Sequence, residues 1–548
     1  MLSRVSRFLL LPLVSTLLLG CEDEEEGARR AIDPGYTPAV AHLSGLFALL
    51  AEPDDDLAEV VVQRAARLGV VAAERALEAL PLARPPARAR LAALIGRVAV
   101  DDASLLPAAL ALLTDEDAKT RRNVILALGR MPHDGVEDAL LVHWDREPRI
   151  DHRRSLAEAL GKRGGPRAEA LLAGITTDDA ELRRITSKAL LRLRRTGRRG
   201  EVSRIRDDVR PPRTLTAELS CRAGLEEILV DEAPVAWKAT VLRRGVVGVV
   251  LREPLGTFGR VRTALELSLP LAPVPATDDL ALDIVKILTS DQARLLLRSF
   301  TEGRIRYRLA LAGSGHQRAL VHRVATLVAE AAPEIENDPS ESPWEVRVRQ
   351  HEGMVLLALC PKGLEDARFS YRTADVPAAS HPTIAAALAR VAGSNPHDVV
   401  WDPFVGSALE LIERARLGPY RELHGTDLDP SALAAARTNL VNAKIDRVKL
   451  TLGDARKASL PGLDLVISNP PMGRRVARGE DVGELLTDVL QVAARKLLPG
   501  GRIVWLSPLP GVTRRAAREL GLAPTYQAMV DLGGFEAELQ RFEWHEER

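Results

Sequence analysis

The first third of the chain repeats one pattern of apolar and polar positions with a period of about 30 residues. The copies hold two arginines followed by Ala-Leu-Gly, Ala-Leu or, in the first copy, Leu-Ile-Gly, and the last three begin after an acidic turn. The copies run from Arg88 to Gly96, from Arg121 to Gly129, from Arg153 to Gly161 and from Arg183 to Leu190. Because each repeat holds two helices' worth of apolar residues, the pattern predicts an α-solenoid of HEAT-like repeats over residues 31–210.

Two kinds of residue in these repeats suggest how the solenoid packs and what it does. The small Ala and Gly side chains allow paired helices to approach closely, and the arginines are expected to bond carboxylates or carbonyls of neighbouring repeats. The solenoid is interpreted either as a packing spacer or as a concave face for a protein or RNA partner, and partner binding is the preferred interpretation. A basic cluster between Arg192 and Arg210 precedes Pro211-Pro212, and this composition is typical of a linker between domains.

The middle of the chain mixes short strand patterns with helix patterns, which predicts an α+β region over residues 211–393. The predicted strands are Leu215–Leu219, Val246–Leu251, Arg304–Ala312, Val346–Arg349 and Val355–Leu359, and the predicted helices are Gly224–Leu229 and Ala319–Ala332.

From residue 394 to 548 strand and helix patterns alternate, which predicts a doubly wound, largely parallel seven-stranded sheet. The predicted strands are Asp398–Phe404, Glu422–Asp427, Val448–Leu452, Leu463–Ser468, Gly501–Leu506, Gln527–Leu532 and Glu538–Trp544. The predicted helices are Glu410–Leu417, Ser431–Asn442, Val482–Leu498 and Thr513–Leu520. The last two strands follow each other directly and fit an antiparallel edge hairpin.

Composition agrees with a large multidomain protein and limits its partners. The chain has 548 residues, so three or four domains are expected. Lys+Arg and Asp+Glu both number 75. This balance argues against a generally basic nucleic-acid coat but permits a local patch. Aromatic residues make up only 3% of the chain, so stacking platforms for bases are scarce.

The cysteines and the first 30 residues point to different compartments. Cys21, Cys221 and Cys360 show no zinc spacing, so no metal site is expected, and they fit a reducing compartment. Residues 1–30 combine a basic start, a short apolar run and Leu-Leu-Gly-Cys at 18–21, which resembles a bacterial lipoprotein signal. A buried first helix and a misassigned start are the alternatives. We expect a cytoplasmic protein, with membrane anchoring only if Cys21 is lipidated.

Asn469, Pro470 and Pro471 directly follow an apolar strand, and this motif organises the C-terminal region. Two prolines hold the chain stiff and extended at the strand's carboxyl end, where open α/β sheets bind ligands. The Asn469 side chain and two backbone carbonyls offer acceptors for the hydrogens of a planar amine. A strand-ending turn is the alternative for an isolated motif of this kind.

Three further loops at strand ends carry candidate binding residues. Asp402, Phe404, Gly406 and Ser407 lie after the first strand, where glycine permits close backbone approach ahead of a helix. The second strand ends at Asp427 and Asp429, and the third at Asp454. An acid after such a strand accepts ribose hydroxyls or an adenine amine, although it is more often a turn former or a helix cap. Four such loops in order are a stronger signal than each alone.

This set of loops resembles class I S-adenosylmethionine-dependent methyltransferases. Cys221–Glu226 is similar to the opening of a ferredoxin-like domain, residues 304–364 to a THUMP domain, and Tyr371-Arg372 with His381–Leu388 to the connector of the THUMP-type RNA methyltransferases. The predicted domains are therefore 31–210 HEAT-like repeats, 211–303 ferredoxin-like, 304–393 THUMP-like with connector, and 394–548 methyltransferase.

The resemblance implies a function and roles for single residues. It implies methyl transfer from S-adenosylmethionine to the exocyclic amine of guanine in tRNA or 23S ribosomal RNA. Asp402 and Gly406 would flank the amino acid end of the cofactor, Asp427 its ribose and Asp454 its adenine. Asn469 and the carbonyl of Pro470 would hold the guanine amine.

Two departures from the family pattern leave a second interpretation open. The family usually has Gly-Ser-Gly-Thr in the first loop, where this chain has Gly406-Ser407-Ala408-Leu409. The family usually has an aromatic residue after Asn-Pro-Pro, where this chain has Met472, whose polarisable thioether contacts a base more weakly. The alternative is an RNA-binding or scaffold protein on a degenerate methyltransferase fold.

Overall fold

The computed structural model describes residues 33, 35–197, 200–311, 317–377, 379–473 and 481–544. The signal-like segment with Cys21 lies outside the described residues. The chain forms two compact units, the first ending at Glu201 and the second beginning at Val202.

The first unit is a succession of short helices that pack on one another around one hydrophobic core. Its helices are α1 Leu43–Leu49, α2 Asp55–Ala66, α3 Val70–Ala79, α4 Ala87–Val98, α5 Leu106–Ala111, α6 Ala118–Leu128, α7 Val136–Arg146, α8 Ile150–Arg163, α9 Pro166–Ala173 and α10 Ala180–Gly197. The arginine-bearing segments of the four repeats form α4, α6, α8 and α10. The predicted solenoid is confirmed.

Glycine and alanine let equivalent helices of successive repeats touch. A Cβ atom added to Gly96 would lie 2.4 Å from the Cβ of Ala127, and one added to Gly161 would lie 2.5 Å from the Cβ of Ala189. At Gly129 the same added atom would lie 3.0 Å from Ala159. Each repeat therefore places a glycine against the alanine of the next, as the sequence pattern predicts.

The arginines connect the repeats through carboxylates. Arg88 bonds Asp115 at 2.7 Å and Arg154 bonds Asp179 at 2.5 Å, each one repeat further along the chain. Between them Arg121 reaches Glu147 at 3.4 Å and donates to the carbonyl of Asp115 at 2.7 Å. The predicted bonds between repeats are present, and their partners are the acidic turns.

The second unit begins with a nine-stranded sheet. Its strands and those of a small separate pair are β1 Ser203–Ile205, β2 Leu215–Ser220, β3 Thr240–Arg243, β4 Val246–Leu251, β5 Glu266–Pro270, β6 Val274–Pro275, β7 Thr301–Gly303, β8 Ile305–Leu311, β9 Ile335–Asn337, β10 Trp344–His351 and β11 Met354–Pro361. The strand order is β3-β4-β2-β5-β11-β10-β8-β9, with β6 beside β11, and β1 pairs with β7. The helices are α11 Glu226–Glu232, α12 Leu280–Leu288, α13 Asp291–Phe300 and α14 Arg318–Ala331.

This sheet runs across the predicted boundary between the ferredoxin-like and THUMP-like regions at residues 303 and 304. Antiparallel pairing of β5 with β11 joins the two, with Leu269 opposite Leu359. The boundary itself stays a prediction. No element was predicted between Leu251 and Arg304, where the structure has β5, β6, α12, α13 and β7. The run Leu280–Leu288 is apolar at most positions, so its periodicity does not separate helix from strand.

A second sheet of seven strands forms the rest of the unit. Its elements are α15 Pro382–Ala392, β12 Val399–Asp402, α16 Leu409–Leu417, β13 Glu422–Asp427, α17 Pro430–Ala443, β14 Val448–Leu452, β15 Leu463–Ser468, α18 Val482–Lys496, β16 Leu497–Ser507, α19 Pro510–Glu519, β17 Leu522–Asp531 and β18 Glu536–Trp544. The strand order is β14-β13-β12-β15-β16-β18-β17. All pairs are parallel except those of β18, which is antiparallel to both neighbours. The predicted doubly wound sheet and its closing hairpin are confirmed.

Two other features of the described residues bear on the sequence predictions. Cys221 and Cys360 are both buried free thiols. Within the described ranges, no helix has both the length and the apolar character that a membrane span requires.

Candidate active site

Four loops meet at the carboxyl edge of the seven-stranded sheet, where β12, β13, β14 and β15 end. The chain order of these strands reverses at β12, whose neighbours are β13 and β15. Such a switch point leaves a crevice between the loops of diverging strands. The sequence-predicted site residues therefore lie at one edge of one sheet.

Asp427 connects three of these loops. Its Oδ2 accepts a hydrogen bond from the amide of Gly406 at 2.9 Å, and its Oδ1 accepts one from the amide of Asp429 at 2.9 Å. Its backbone carbonyl accepts one from the amide of Gly453 at 2.9 Å. Each carboxylate oxygen keeps a further lone pair, so this side chain can accept ribose hydroxyls without giving up the loop contacts.

Asp402 is a buried carboxyl that lacks one partner. Its Oδ1 accepts hydrogen bonds from the Phe404 amide at 3.0 Å and from the Ser468 hydroxyl at 2.6 Å. Its Oδ2 is buried and has no hydrogen-bond partner within the described part of the chain. Burial raises the pKa of Asp402 well above its ordinary value, and nearby Glu410 and Asp427 raise it further. A cationic group of a ligand would satisfy the free oxygen.

The first loop contains two residues with left-handed backbone conformation, separated by Ser407. Gly406 has φ of +48° and Ala408 has φ of +67°, both in the left-handed region. Ala408 is also fully buried and stands immediately before α16. The loop thus keeps, with an alanine, a conformation for which glycine is the usual residue.

The fourth loop presents the Asn469 amide with one end bonded and the other free. Its Nδ2 donates to the Ser380 hydroxyl at 2.7 Å, and Ser380 donates in turn to a carboxylate oxygen of Glu410. The Oδ1 of Asn469 is a buried acceptor to which the described residues give no donor. The site therefore contains a free, oriented carbonyl oxygen directly after β15. Burial also raises the pKa of the neighbouring Glu410 to about 7.

The connector that carries Ser380 is tied to the same sheet. The Asn439 side chain on α17 accepts hydrogen bonds from the amides of Thr373 and Ala374 at 3.1 and 3.0 Å. Its Nδ2 donates to the carbonyl of Ser407 in the first loop at 3.1 Å. One buried asparagine thus holds the connector against the first loop.

The remaining predicted residues lie at the site in different settings. Asp429 is exposed and caps α17 by accepting from the Ser431 amide at 2.8 Å. The carboxylate of Asp454 is paired with Arg456 at 2.8 Å, and this hydrogen bond lowers the pKa of Asp454. Ser407 and Pro470 are buried, whereas Phe404, Pro471 and Met472 are partly buried. Met472 packs against the main core.

Comparison with known proteins adds family relationships to this geometry. The family described as RMKL-like, methyltransferase domain (UPF0020) matches residues 370–537, and HEAT repeats match residues 106–192. Residues 370–537 form a methyltransferase domain of this family. The sequence-based recognition of this domain, and of the HEAT repeats before it, is confirmed.

Curated relatives of the methyltransferase domain act on guanine in RNA, according to their names. A tRNA (guanine(6)-N2)-methyltransferase of Thermus thermophilus is 35% identical over 156 residues, which are 28% of this chain and 46% of the relative. The U6 snRNA (guanine-N(2))-methyltransferase THUMPD2 of Bos taurus is 33% identical over 127 residues, 23% of this chain and 25% of the relative. The matched segments thus span less than half of either relative.

A solved structure confirms the fold over a longer stretch. TrmN from Thermus thermophilus superposes with a TM-score of 0.50 at 24% identity and covers 60% of this chain and 99% of its own. At that identity the likeness concerns the fold. The predicted fold, a sheet-rich region followed along the chain by a Rossmann-like methyltransferase domain, is therefore confirmed.

Sequence reasoning missed two polar residues of the site, Ser380 and Glu410. Ser380 directly precedes the connector motif that begins at His381, and Glu410 follows the altered Ala408-Leu409 pair. An acid at the second position of a helix is normally a solvated end group, so its burial has no signal in the sequence.

Proposed function

We propose that the protein transfers a methyl group from S-adenosylmethionine to the exocyclic N2 amine of a guanine in a structured RNA, either a tRNA or 23S ribosomal RNA. The observation that carries the proposal is the free, buried Oδ1 of Asn469 at the end of β15. The names of the relatives support guanine N2 as the acceptor and RNA as the substrate class.

The residues of the first three loops suit the proposed cofactor. The free oxygen of Asp402 would accept from the ammonium of the methionine part, next to the backbone of Phe404, Gly406 and Ser407. Asp427 would accept the ribose hydroxyls, with Asp429 beside it. S-adenosylmethionine supplies an electrophilic methyl group on a sulfonium.

Asn469 would act by holding and polarising the amine rather than by removing its proton. Its Oδ1 would accept one N–H of the guanine amine and the carbonyl of Pro470 the other. Such bonds hold the nitrogen in place and increase its electron density for attack on the methyl carbon. The carbon–sulfur bond would break as the nitrogen–carbon bond forms, and the nitrogen would then lose one proton to solvent. Pro471 would keep the motif rigid, and Met472 would lie against the base. Asp454, now paired with Arg456, would exchange that bond for the adenine amine.

The other regions receive proposals of their own. We infer that residues 211–303 and 304–393, as ferredoxin-like and THUMP-like regions, hold the RNA, and that the HEAT repeats bind a protein partner through the extended surface that solenoids expose. Because the proposed RNA substrates are intracellular, the protein would act in the cytoplasm.

Cofactor binding by the full chain tests the first step of the proposal. We expect calorimetry to detect S-adenosylmethionine binding to the wild type. Asp427→Ala should weaken it at least about tenfold, because hydrogen bonds to a charged group contribute about 1.5–3 kcal/mol. Glu519→Ala, at the exposed end of α19, is the control and should bind as the wild type does. A folded wild type that binds no cofactor would instead support the RNA-binding protein suggested by Ala408, Leu409 and Met472.

A further inference from the structure

Ser380 lies between two polar side chains and has a single hydroxyl proton to share. It donates to the carboxylate of Glu410 on α16, and it accepts from the Nδ2 of Asn469 at 2.7 Å. Ser380 and Asn469 are separated by 89 residues, so only the fold brings them together. These three side chains form a chain of hydrogen bonds that ends at the free Oδ1 of Asn469.

The direction of this chain depends on the charge of Glu410. An ionised carboxylate can only accept, so Ser380 must give its proton to Glu410. The Ser380 oxygen can then only accept from Asn469, which turns the Nδ2 of the amide toward Ser380 and leaves the Oδ1 for the substrate. A protonated Glu410 can donate instead. Ser380 could then donate to the Oδ1 of Asn469, which would turn the Nδ2 donor toward the substrate amine.

We propose that Ser380 and Glu410 are positioning residues that orient the Asn469 amide, and that protonation of Glu410 releases this orientation. The inference rests on the proposed function, because it assigns a purpose to the Oδ1 acceptor. Neither residue needs to touch the RNA or the cofactor. With saturating S-adenosylmethionine their effect on methyl transfer would pass through Asn469, because the influence of Glu410 on Asp402 concerns cofactor binding.

The surroundings of Glu410 bring its pKa close to neutral pH, where the protonation of its carboxyl can be tested. Glu410 is 4% exposed, and it is faced by Asp402 from β12, by Glu413 from its own helix, and by Arg372 and Tyr371 from the connector. Burial raises its pKa to about 7, Glu413 raises it as well, and Ser380 and Arg372 lower it. Asp402 titrates beside it in both the wild type and Ser380→Ala, so a ratio of the two rates removes the pH dependence that the two proteins share.

The test is the turnover rate of the full-length wild type divided by that of Ser380→Ala, measured across pH with saturating S-adenosylmethionine and RNA. Above about pH 8 we expect a ratio of about ten, because one orienting hydrogen bond is lost. Below about pH 6 the ratio should approach one, because Glu410 is then protonated in the wild type. Ser380→Thr keeps the hydroxyl and should restore the rate, and Ser459→Ala, an exposed serine, is the control.

A spectroscopic measurement supports or overturns the inference independently of turnover. The infrared carboxylic-acid band that persists above about pH 6, where ordinary carboxyls are ionised, should lose intensity in Glu410→Gln. In Ser380→Ala, which keeps Glu410, the carboxylic-acid band of Glu410 should persist to higher pH than in the wild type, because a donor to the carboxylate is gone. A wild type that methylates no RNA would overturn the proposed function. Methylation with a pH-independent ratio, or a band that Ser380→Ala does not move, would overturn only the positioning role.

Discussion

At the scale of single residues, Ala408 combines an unfavourable backbone conformation with a favourable burial. A left-handed conformation costs an L-residue roughly 1–2 kcal/mol, and burying its methyl group returns about 0.8 kcal/mol. The methyl group is fully buried in the core beneath the first loop. Retention of the left-handed turn means that the sequence departure at this position leaves the loop's shape intact.

Ala408→Gly should therefore change the free energy of unfolding by less than about 1 kcal/mol, because relief of the backbone offsets the lost methyl contacts. The matched control is Ala436→Gly, a fully buried alanine in α17, which should lose about 2 kcal/mol from helix propensity and burial together. Urea unfolding measures both. Equal losses in the two variants would show that the conformation of Ala408 carries no cost.

The sequence predicts some site residues because a simple rule places them. Asp402, Asp427 and Asn469 follow parallel strands of one sheet, and the carboxyl ends of such strands share an edge. Ser380 and Glu410 obey no such rule. Their contact depends on how the connector crosses the sheet, which is decided by tertiary bonds such as those of Asn439.

At the scale of secondary-structure elements, the close approach of helices in the solenoid depends on glycine residues. Gly161 on α8 faces Ala189 on α10, and an added Cβ would lie 2.7 Å from the Cα of Ala189. Backbone cannot yield to such a contact without moving a whole helix. The repeat period is therefore visible in the sequence as recurring Ala-Leu-Gly, and the HEAT repeats were predictable for that reason.

Gly161→Ala should lower the free energy of unfolding of the first unit by about 2 kcal/mol or more, because overpacking forces the helices apart. Gly45→Ala is the control, since nothing lies within 4 Å of its added Cβ in α1. There, better helix propensity should raise stability by about 0.5–1 kcal/mol. Two stabilised variants would contradict the observed packing.

The start of β12 is held by a buried carboxylate between two arginines. Asp398 accepts from Arg414 on α16 at 2.5 Å and from Arg502 on β16 at 2.8 Å, and all three side chains are largely buried. Burial acts to raise the pKa of Asp398, but the hydrogen bonds from the two arginines outweigh it and the pKa is lowered. Three elements of the seven-stranded sheet thus share one charge cluster.

Asp398→Asn should destabilise the second unit by about 3–5 kcal/mol near neutral pH, because two buried guanidinium groups lose their counterion. Since the folded pKa lies below the unfolded one, this stability is present above about pH 4 and is lost as pH falls through the folded value. Denaturation of both proteins at neutral and acidic pH should show the difference shrinking toward acid. A difference that stays constant would contradict the ionised pairing.

At the scale of the whole molecule, the two compact units have separate hydrophobic cores. Calorimetric scans should therefore show two transitions. Gly161→Ala should lower one of them, and S-adenosylmethionine at about 100 times its dissociation constant should stabilise the other by about 2.7 kcal/mol. If S-adenosylmethionine raised the transition that Gly161→Ala lowers, the cofactor would bind the first unit, which would contradict the site proposed in the second unit.

The identity of the methylated nucleoside tests the proposed function most directly. The full-length protein is incubated with isotopically labelled S-adenosylmethionine and with tRNA or 23S ribosomal RNA, and the digested RNA is examined by mass spectrometry. We predict labelled N2-methylguanosine with the wild type and with Ser459→Ala, and a loss of at least about a hundredfold with folded Asn469→Ala, since both holding and polarising the amine are lost. A label on another nucleoside, or an unchanged rate in Asn469→Ala, would contradict the role assigned to Asn469.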